Sequence, residues 1–334
     1  MPFLAAPMVR VERGGVEEAI HPGHLAAVDA SGRVRASVGN PDRLTYFRSC
    51  AKPFQAMAAL RTGMALRFNL ASEHVAIMAA SHNGEPGHVE VVRDLLDRVG
   101  IPESALQCGA HWPYYEPAAT VARRAMEEPL EIFNNCSGKH AGMLAAARAL
   151  GAPLETYLDR EHPIQQRIAA VIGEFTAERP AEIHWGIDGC SAPNAAVPLA
   201  AIARSFAALV TSRDDLARGT VEAMTGHPFL IGGTDRFDSR LMEVTHGRLL
   251  AKGGAAGAHC TADRRSGLGL SIKLDSGDGT WTAVAVMAAL ERLGWLEEAE
   301  REALKSFASP SLRNHKRVVV GSVRPVFDLA VTAA

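Results

Sequence analysis

One short motif places a serine three residues before a lysine, Ser49 and Lys52, within the run F-R-S-C-A-K-P-F. Residues three apart share one face of a helix. A serine hydroxyl becomes a nucleophile when a nearby base takes its proton, and a lysine amine held neutral is such a base. Pro53 favours a helix that begins close to Ser49, where free N–H groups would stabilise an oxyanion. From this motif alone, the alternative that Ser49 only caps the helix stays open.

Two further motifs follow in the chain, Ser81-His82-Asn83 after an apolar helical pattern and Lys252-Gly253-Gly254 at the end of a strand pattern. Each alone is typical of a turn. In chain order, however, S-x-x-K, S-x-N and K-G-G match the S-x-x-K, S-D-N and K-T-G motifs that converge on one cleft in serine β-lactamases and penicillin-binding proteins. The three together predict a serine hydrolase site.

Two loops rich in glycine and asparagine, residues 133–140 and 186–194, each present a cysteine among polar groups. Cys136 and Cys190, with one or two of Lys139, His140 and Asp188, would complete a tetrahedral zinc site. Their spacing matches no standard C-x-x-C ligand pair, so two independent loop cysteines remain the other interpretation. The five cysteines are odd in number and dispersed, which argues against a disulfide framework and favours a reducing compartment.

The composition is that of an ordinary globular protein of 334 residues, with 47% hydrophobic residues, 22% charged residues and a net charge of -2. The sequence has no surplus of basic residues, which argues against nucleic acid or an anionic membrane surface as a partner. No apolar run approaches the roughly 18 residues that a membrane span requires. The first nine residues lack the basic start of a secretory signal. We therefore expect a cytoplasmic protein whose partner is a small molecule.

The hydrophobic pattern predicts strands near both ends of the chain and helices between them. A hairpin is expected over residues 24–39, strands over 248–252, 267–274 and 317–326, and a helix over 280–293. This order favours an α+β fold in which one antiparallel sheet takes strands from both chain ends and is covered by helices. We expect a single domain over residues 1–334 with two lobes, a helical lobe at 49–230 being inserted between sheet strands at 20–48 and 245–330.

Five segments together resemble the asparaginase II family of the Rhizobium etli type, and the resemblance spans nearly the whole chain. It implies a homodimeric L-asparaginase with a fold similar to serine β-lactamases and glutaminases. It also implies two Ser–Lys pairs and one Zn²⁺ per chain, bound by two cysteines and a lysine. The segments are Arg48–Lys52, Ala80–Glu85, Asn134–His140, Gly186–Asn194 and Ala251–Gly257.

The resemblance assigns the first pair to Ser49 and Lys52 and the second to Ser81 and Lys252, with Lys273 as the alternative second lysine. Ser49 is then expected to attack the side-chain amide carbon of asparagine, with Lys52 as general base. Water hydrolyses the resulting aspartyl ester with protons relayed by the second pair. The expected zinc ligands are Cys136, Lys139 and Cys190, and the expected contacts to the substrate zwitterion are Arg48, Asn83, His140 and Asp188.

Three other functions stay open on the sequence. They are a glutaminase or other amidohydrolase on the same site, a penicillin-interacting serine enzyme, and a non-enzymatic zinc-binding module. The choice between asparagine and glutamine depends on one methylene in the pocket, worth roughly 1–3 kcal/mol, which residue patterns do not set.

Overall fold

The computed structural model describes residues 4–329. The chain divides into two compact units. One, which we call the sheet unit, comprises the residues up to Cys50, Val197–Thr211 and the residues from Leu241 onward. The other, the helical unit, comprises Ala51–Ala196 and Ser212–Arg240. The predicted helical lobe was one continuous insertion from 49 to 230, whereas the helical unit is interrupted by a segment of the sheet unit.

The strands are β1 Ala6–Arg13, β2 Val16–Val28, β3 Val34–Val38, β4 Leu44–Tyr46, β5 His184–Ile187, β6 Pro193–Pro198, β7 Leu249–Gly254, β8 Ala258–Asp263, β9 Leu268–Leu274, β10 Ser311–Arg313 and β11 Val319–Pro325. The main sheet has the order β10-β11-β1-β2-β9-β8-β7, and β3 also pairs with β2. Its described ladders are antiparallel. Strands from both chain ends therefore form one sheet, which confirms the predicted α+β class.

The helices are α1 Lys52–Leu60, α2 Met64–Arg67, α3 Ser72–Met78, α4 Pro86–Val99, α5 Glu116–Ala125, α6 Ser137–Leu150, α7 Pro163–Thr176, α8 Leu199–Thr211, α9 Asp215–Gly226, α10 Pro228–Ile231, α11 Phe237–Val244, α12 Thr282–Arg292, α13 Glu298–Ala303 and α14 Lys305–Ala308. No helix within residues 4–329 is long and apolar enough to cross a membrane.

The sheet begins earlier than the predicted residue 20, because β1 pairs with both β2 and β11. Val9 lies opposite His21 on one side and Pro325 on the other. Register shifts next to Val9 and Val11 interrupt the alternation of inward and outward side chains along β1. The period-2 pattern that would identify the strand is therefore weak in the sequence, although Met8 and Val9 are fully buried.

Helix α8, which the sequence assigned to the helical lobe, packs against β2, β8 and β9 of the main sheet. Leu199 and Ala203 of α8 form a buried cluster with Ala26 and Val28 of β2. Gly269 of β9 permits the approach, since a Cβ there would lie 2.0 Å from the Ala203 oxygen. The Ser271 hydroxyl, two residues on, donates to the Leu199 oxygen at 2.7 Å. Small residues on this face of β9 let the helix backbone lie directly on the strand.

Helix α1 is buried at every position and packs against α3, α6, α7 and α9, so it forms the centre of the helical unit. Helix α6 approaches α3 equally closely, because Gly138 and Gly142 face Ile77 and Met78 without side chains of their own. A Cβ on Gly138 would lie 2.2 Å from the Ile77 oxygen. These contacts fix the first turn of α6, which carries Lys139, against the chain that precedes Ser81.

Candidate active site

Ser49 lies in a 3₁₀ turn, Arg48–Ala51, that runs directly into α1. The N-cap of α1 is Ala51, and Pro53 lies in its first turn. Helix α1 therefore begins three residues after Ser49, close to the predicted position, and Ser49 itself lies in the preceding 3₁₀ turn. Arg48 has a φ of 53°, a left-handed backbone conformation that costs free energy for a residue other than glycine.

Lys52 is 1% exposed, and its ammonium group is enclosed by acceptors of the helical unit. Nζ donates to the Ser81 hydroxyl at 2.9 Å and to the Asn135 oxygen at 3.1 Å, and it also donates to the Ala80 oxygen. Within the helical unit, Ser81 is thus bonded by Lys52. The long side chain reaches a turn 29 residues downstream, a distance that sequence spacing does not reveal.

Burial lowers the pKa of Lys52, because the uncharged amine is easier to remove from water than the ammonium ion. The positive charge of Lys139 lowers this pKa further, while the Cys136 and Cys190 sulfurs oppose the shift. The net direction is downward, so a neutral amine is more accessible at working pH than for a lysine in water. A hydrogen-bonded serine beside such an amine is an acid–base pair.

Residues 81–85 are held in place by the segment that follows α10. The Ser81 N–H donates to the Ile231 oxygen at 2.9 Å, and the Asn83 N–H donates to the Gly232 oxygen at 2.8 Å. The backbone of residues 81–83 is therefore fixed at two points against the segment 231–232. The Ser81 hydroxyl on this fixed segment bonds Lys52.

Cys136 and Cys190, predicted as metal ligands, are close enough to shift each other's pKa, and Lys139 Nζ donates to Cys190 Sγ at 2.8 Å. The interaction with Cys190 lowers the pKa of Cys136 well below its usual value, against the effect of burial, and Lys52 and Lys139 add to the shift. The same interaction raises the pKa of Cys190. Burial acts to lower the pKa of Lys139, but the two sulfurs raise it overall. One thiolate and two ammonium groups therefore form a charge cluster.

This donor set fits zinc, which binds thiolate and nitrogen donors. Within residues 4–329, no group of three or more His, Cys, Asp and Glu side chains is placed to hold a metal ion. A zinc ion at this position would therefore take the Lys139 amine as its third protein donor.

The predicted zwitterion contacts are distributed over both units. Asn83 is engaged on both sides of its amide, with Nδ2 donating to the Thr234 oxygen at 3.0 Å and Oδ1 accepting from Arg236 at 3.0 Å. His140 bonds the Tyr157 hydroxyl through Nδ1 at 2.7 Å, while its buried Nε2 has no hydrogen-bond partner in the described part of the chain. The Asp188 charge raises the pKa of Lys139.

Arg48, Ser49 and Lys252 belong to the sheet unit. Lys252 on β7 is fully buried, and its Nζ donates to the Gly253 oxygen at 2.7 Å. The backbone oxygen of Lys252 accepts from Cys50 Sγ at 3.1 Å. The alternative second lysine, Lys273, is half-buried, and burial lowers its pKa. Strand β7 continues through Gly254, so the predicted K-G-G turn begins two residues later than expected.

His111 is a site residue that the sequence did not reveal. Its Nε2 accepts from the Asn135 N–H at 3.1 Å, and its Nδ1 lies 2.7 Å from the Trp112 oxygen. The imidazole thereby holds the Asn135 peptide, whose oxygen accepts from Lys52. The Tyr114 ring stacks on His111 at 4.5 Å. A single histidine outside every motif gives no sequence signal for this role.

Comparison with known proteins adds a family and several distant structures. The family model described as L-asparaginase II matches residues 9–325. A search of curated proteins finds no matching sequence. Among solved structures, the chain is similar to a β-lactamase from Mycobacterium bovis, with 16% identity, a TM-score of 0.40, and coverage of 86% of this chain and 95% of that one.

Two other similar structures are Mglu and the LovD6 mutant of simvastatin synthase (LovD) from Aspergillus terreus. Mglu shares 15% identity with a TM-score of 0.46, and the match covers 82% of this chain and 65% of Mglu. The synthase shares 13% identity with a TM-score of 0.40, and the match covers 86% of this chain and 89% of that chain. These likenesses in fold are distant.

Proposed function

We propose that this chain, which belongs to the L-asparaginase II family, hydrolyses L-asparagine to L-aspartate and ammonia. Family membership makes the chain a hydrolase, and the substrate is the proposed part. The observation that carries the proposal is the bond from the buried Lys52 amine to the Ser81 hydroxyl at 2.9 Å. Amide hydrolysis needs a base to activate a nucleophile and an acid to protonate the leaving nitrogen, and such a pair supplies both.

Ser49 is the proposed nucleophile, and the reason is its spacing of three residues from Lys52 in the sequence. Its oxygen attacks the side-chain amide carbon, and Lys52 accepts the hydroxyl proton. Ser81 then donates a proton to the leaving nitrogen and is reprotonated from Lys52, so ammonia departs and an aspartyl ester remains. Water hydrolyses this ester as protons move in the opposite direction. Lys252 is proposed to relay protons in this second step, and the basis for that role is the K-G-G motif.

One Zn²⁺ per chain, held by Cys136, Lys139 and Cys190, is part of the proposal. When bound, zinc would supply a Lewis acid that orients a polar group of the substrate. The residues themselves place a buried charge cluster beside Lys52, since the Cys136 and Cys190 charges act directly on the pKa of that lysine. A homodimer is likewise proposed, and light scattering would then give twice the chain mass of 35.6 kDa.

The substrate test measures ammonia release from a panel of amides and separates the proposed function from its rivals. We expect a higher kcat/KM for L-asparagine than for L-glutamine, and no covalent reaction with β-lactams. An equal or higher kcat/KM for glutamine would refute the proposed substrate. A protein that binds zinc but releases no ammonia from any amide would be a binding module instead.

The role test traps the covalent intermediate with a reactive asparagine analogue and maps the adduct by mass spectrometry. Ser49→Ala should abolish the adduct, because the nucleophile is gone. Ser81→Ala should slow turnover but leave some adduct on Ser49. An adduct on Ser81 of the wild type, or labelling that survives in Ser49→Ala, would exchange the roles of the two serines.

A further inference from the structure

Arg236 follows the loop Gly232–Asp235 and is tied to the segment that carries Ser81. Its Nη1 donates to the Asn83 side-chain oxygen at 3.0 Å, and the Asn83 amide is itself fixed by the Thr234 oxygen. Asn83 follows Ser81 by two residues, and backbone hydrogen bonds to Ile231 and Gly232 hold both residues. The guanidinium is therefore anchored two residues along the chain from the hydroxyl that bonds Lys52.

The Arg236 guanidinium has no carboxylate partner in the part of the chain that the structure describes. Of its five N–H groups, one donates a hydrogen bond to a described residue, the Asn83 side chain. The nearby Glu85 carboxylate is occupied instead by Thr234, through the backbone N–H at 2.8 Å and the hydroxyl at 2.7 Å. The side chain is partly exposed, so the guanidinium is within reach of a ligand. Arg236 is thus a cation that Asn83 fixes in position, with further N–H donors for a ligand.

Electrostatic effects place Arg236 and the sulfur cluster near the same side chains. The pKa of Tyr114 is raised by burial and by the Cys136 charge, and Arg236 acts to lower it. Burial lowers the pKa of His82, and both Lys52 and Arg236 add to that effect. Tyr114 also donates its N–H to the Asn83 oxygen at 2.8 Å. Arg236 and Lys52 therefore flank one short segment, residues 81–85.

We infer that Arg236 binds the α-carboxylate of the substrate, an assignment that rests on the proposed function. A planar guanidinium matches a carboxylate through two parallel hydrogen bonds, and Asn83 fixes its orientation from behind. In L-asparagine only two carbon atoms separate the α-carboxylate from the amide carbon that reacts, so the groups that bind the one and act on the other have to lie close together. The anchor on Asn83 ties Arg236 to the segment that carries Ser81. Asn83 is then a positioning residue, rather than the direct substrate contact that the sequence predicted.

The test compares L-asparagine with L-aspartic acid diamide, in which an uncharged amide replaces the α-carboxylate. Arg236→Gln should lower kcat/KM for L-asparagine about 10- to 100-fold, mainly through KM, because charge-assisted hydrogen bonds are lost. Side-chain hydrolysis of the diamide, followed as L-isoasparagine, should change less than about 3-fold. Arg236→Lys keeps the charge without the planar fork and should fall between these limits. The same loss for both compounds, or none for L-asparagine, would overturn the inference.

The matched control is Arg218→Gln, which removes an exposed guanidinium of the same unit that pairs with Asp215. It should leave both substrates unaffected. Thermal unfolding of each variant shows whether a loss of activity reflects a loss of folded protein.

A binding arm separates this inference from the proposed function. L-aspartate is titrated into the wild type and into Arg236→Gln by calorimetry, with no turnover required. At least about 10-fold weaker binding to the variant supports the inference. Equal binding, or no binding to the wild type, contradicts it. A protein that binds L-aspartate through Arg236 yet releases no ammonia from L-asparagine refutes the proposed function alone.

Discussion

Two stacked histidines of the helical unit should make the protein sensitive to mild acid. The rings of His82 and His88 are fully buried, with centroids 5.1 Å apart. In each ring Nδ1 accepts a backbone N–H at 3.1 Å, from Gly84 and Glu85 respectively, and so carries no proton. Burial is the main cause that lowers the pKa of both rings, and for His82 the charge of His88 is the next. Protonation would break these bonds and place two cations in contact.

The sign and size of the effect follow from proton linkage. Each histidine has an ordinary pKa near 6.5 when the chain is unfolded and a lower one when it is folded, so unfolding takes up protons below that pH. Stability is therefore fully present at pH 7.5 and is lost as the pH falls. At pH 5.5 each ring that stays neutral in the fold costs about 1.4 kcal/mol, so the pair removes up to about 3 kcal/mol from the free energy of unfolding.

The assay is urea unfolding at pH 7.5 and 5.5 and at constant ionic strength. Replacing one ring, as in His88→Gln, should reduce the difference between the two pH values by up to about 1.4 kcal/mol, because one titrating group is removed. His315→Gln, at an exposed position, is the control and should leave the difference unchanged. Equal unfolding free energies at both pH values in the wild type, or an unchanged difference in His88→Gln, would refute the reasoning.

Three further changes have defined outcomes. Metal analysis should find zinc near one per chain, lost in Cys136→Ala or Cys190→Ala because each removes a thiolate donor. Gly138→Ala should lower the free energy of unfolding by about 1–3 kcal/mol, since its Cβ would lie 2.2 Å from a backbone oxygen of α3. Tyr157→Phe should cost about 1–3 kcal/mol in urea unfolding, because its hydroxyl bonds two otherwise unpaired nitrogen atoms.

Each change has a matched control. Cys108→Ala removes a buried thiol outside the cluster and should retain zinc. Gly219→Ala places a Cβ in open space within α9 and should not destabilise the fold. Tyr46→Phe, at an exposed site, should change the free energy of unfolding by less than about 0.5 kcal/mol. Zinc retained without either cysteine, or a destabilisation as large in a control as in its test variant, would contradict the corresponding prediction.

The sequence predicted those elements whose hydrophobic period is regular. Strand β9, strand β11 and helix α12 begin and end within two residues of their expected bounds. Strand β1 was missed because register shifts interrupt its alternation, and β8 because its six residues are buried on both faces and show no period. Whether such segments form strands depends on the strands they pair with, and those partners are distant in the sequence.

The sequence predicted which residues belong to the site better than it predicted their hydrogen-bond partners. The motifs drew attention to Lys52, Ser81, Cys136 and Cys190, and the structure brings all four into one hydrogen-bonded or electrostatically coupled group. The Lys52–Ser81 contact depends on how α1 packs against the turn after α3, which no local spacing encodes. Arg236 stands outside every motif, and its hydrogen bond to Asn83 in the folded chain reveals its place.

The three-segment sheet unit also has a consequence during synthesis. Strands β1 to β3 leave the ribosome early and pair with one another at once. The edge of β2 that receives β9, however, has to wait for about 240 more residues. At roughly 5–20 residues per second, this edge is open for roughly 10–50 s, while the helical unit is already complete. An unpaired strand edge of this kind is a template for pairing with other chains, so we expect the nascent protein to be most exposed to aggregation before its last strands emerge.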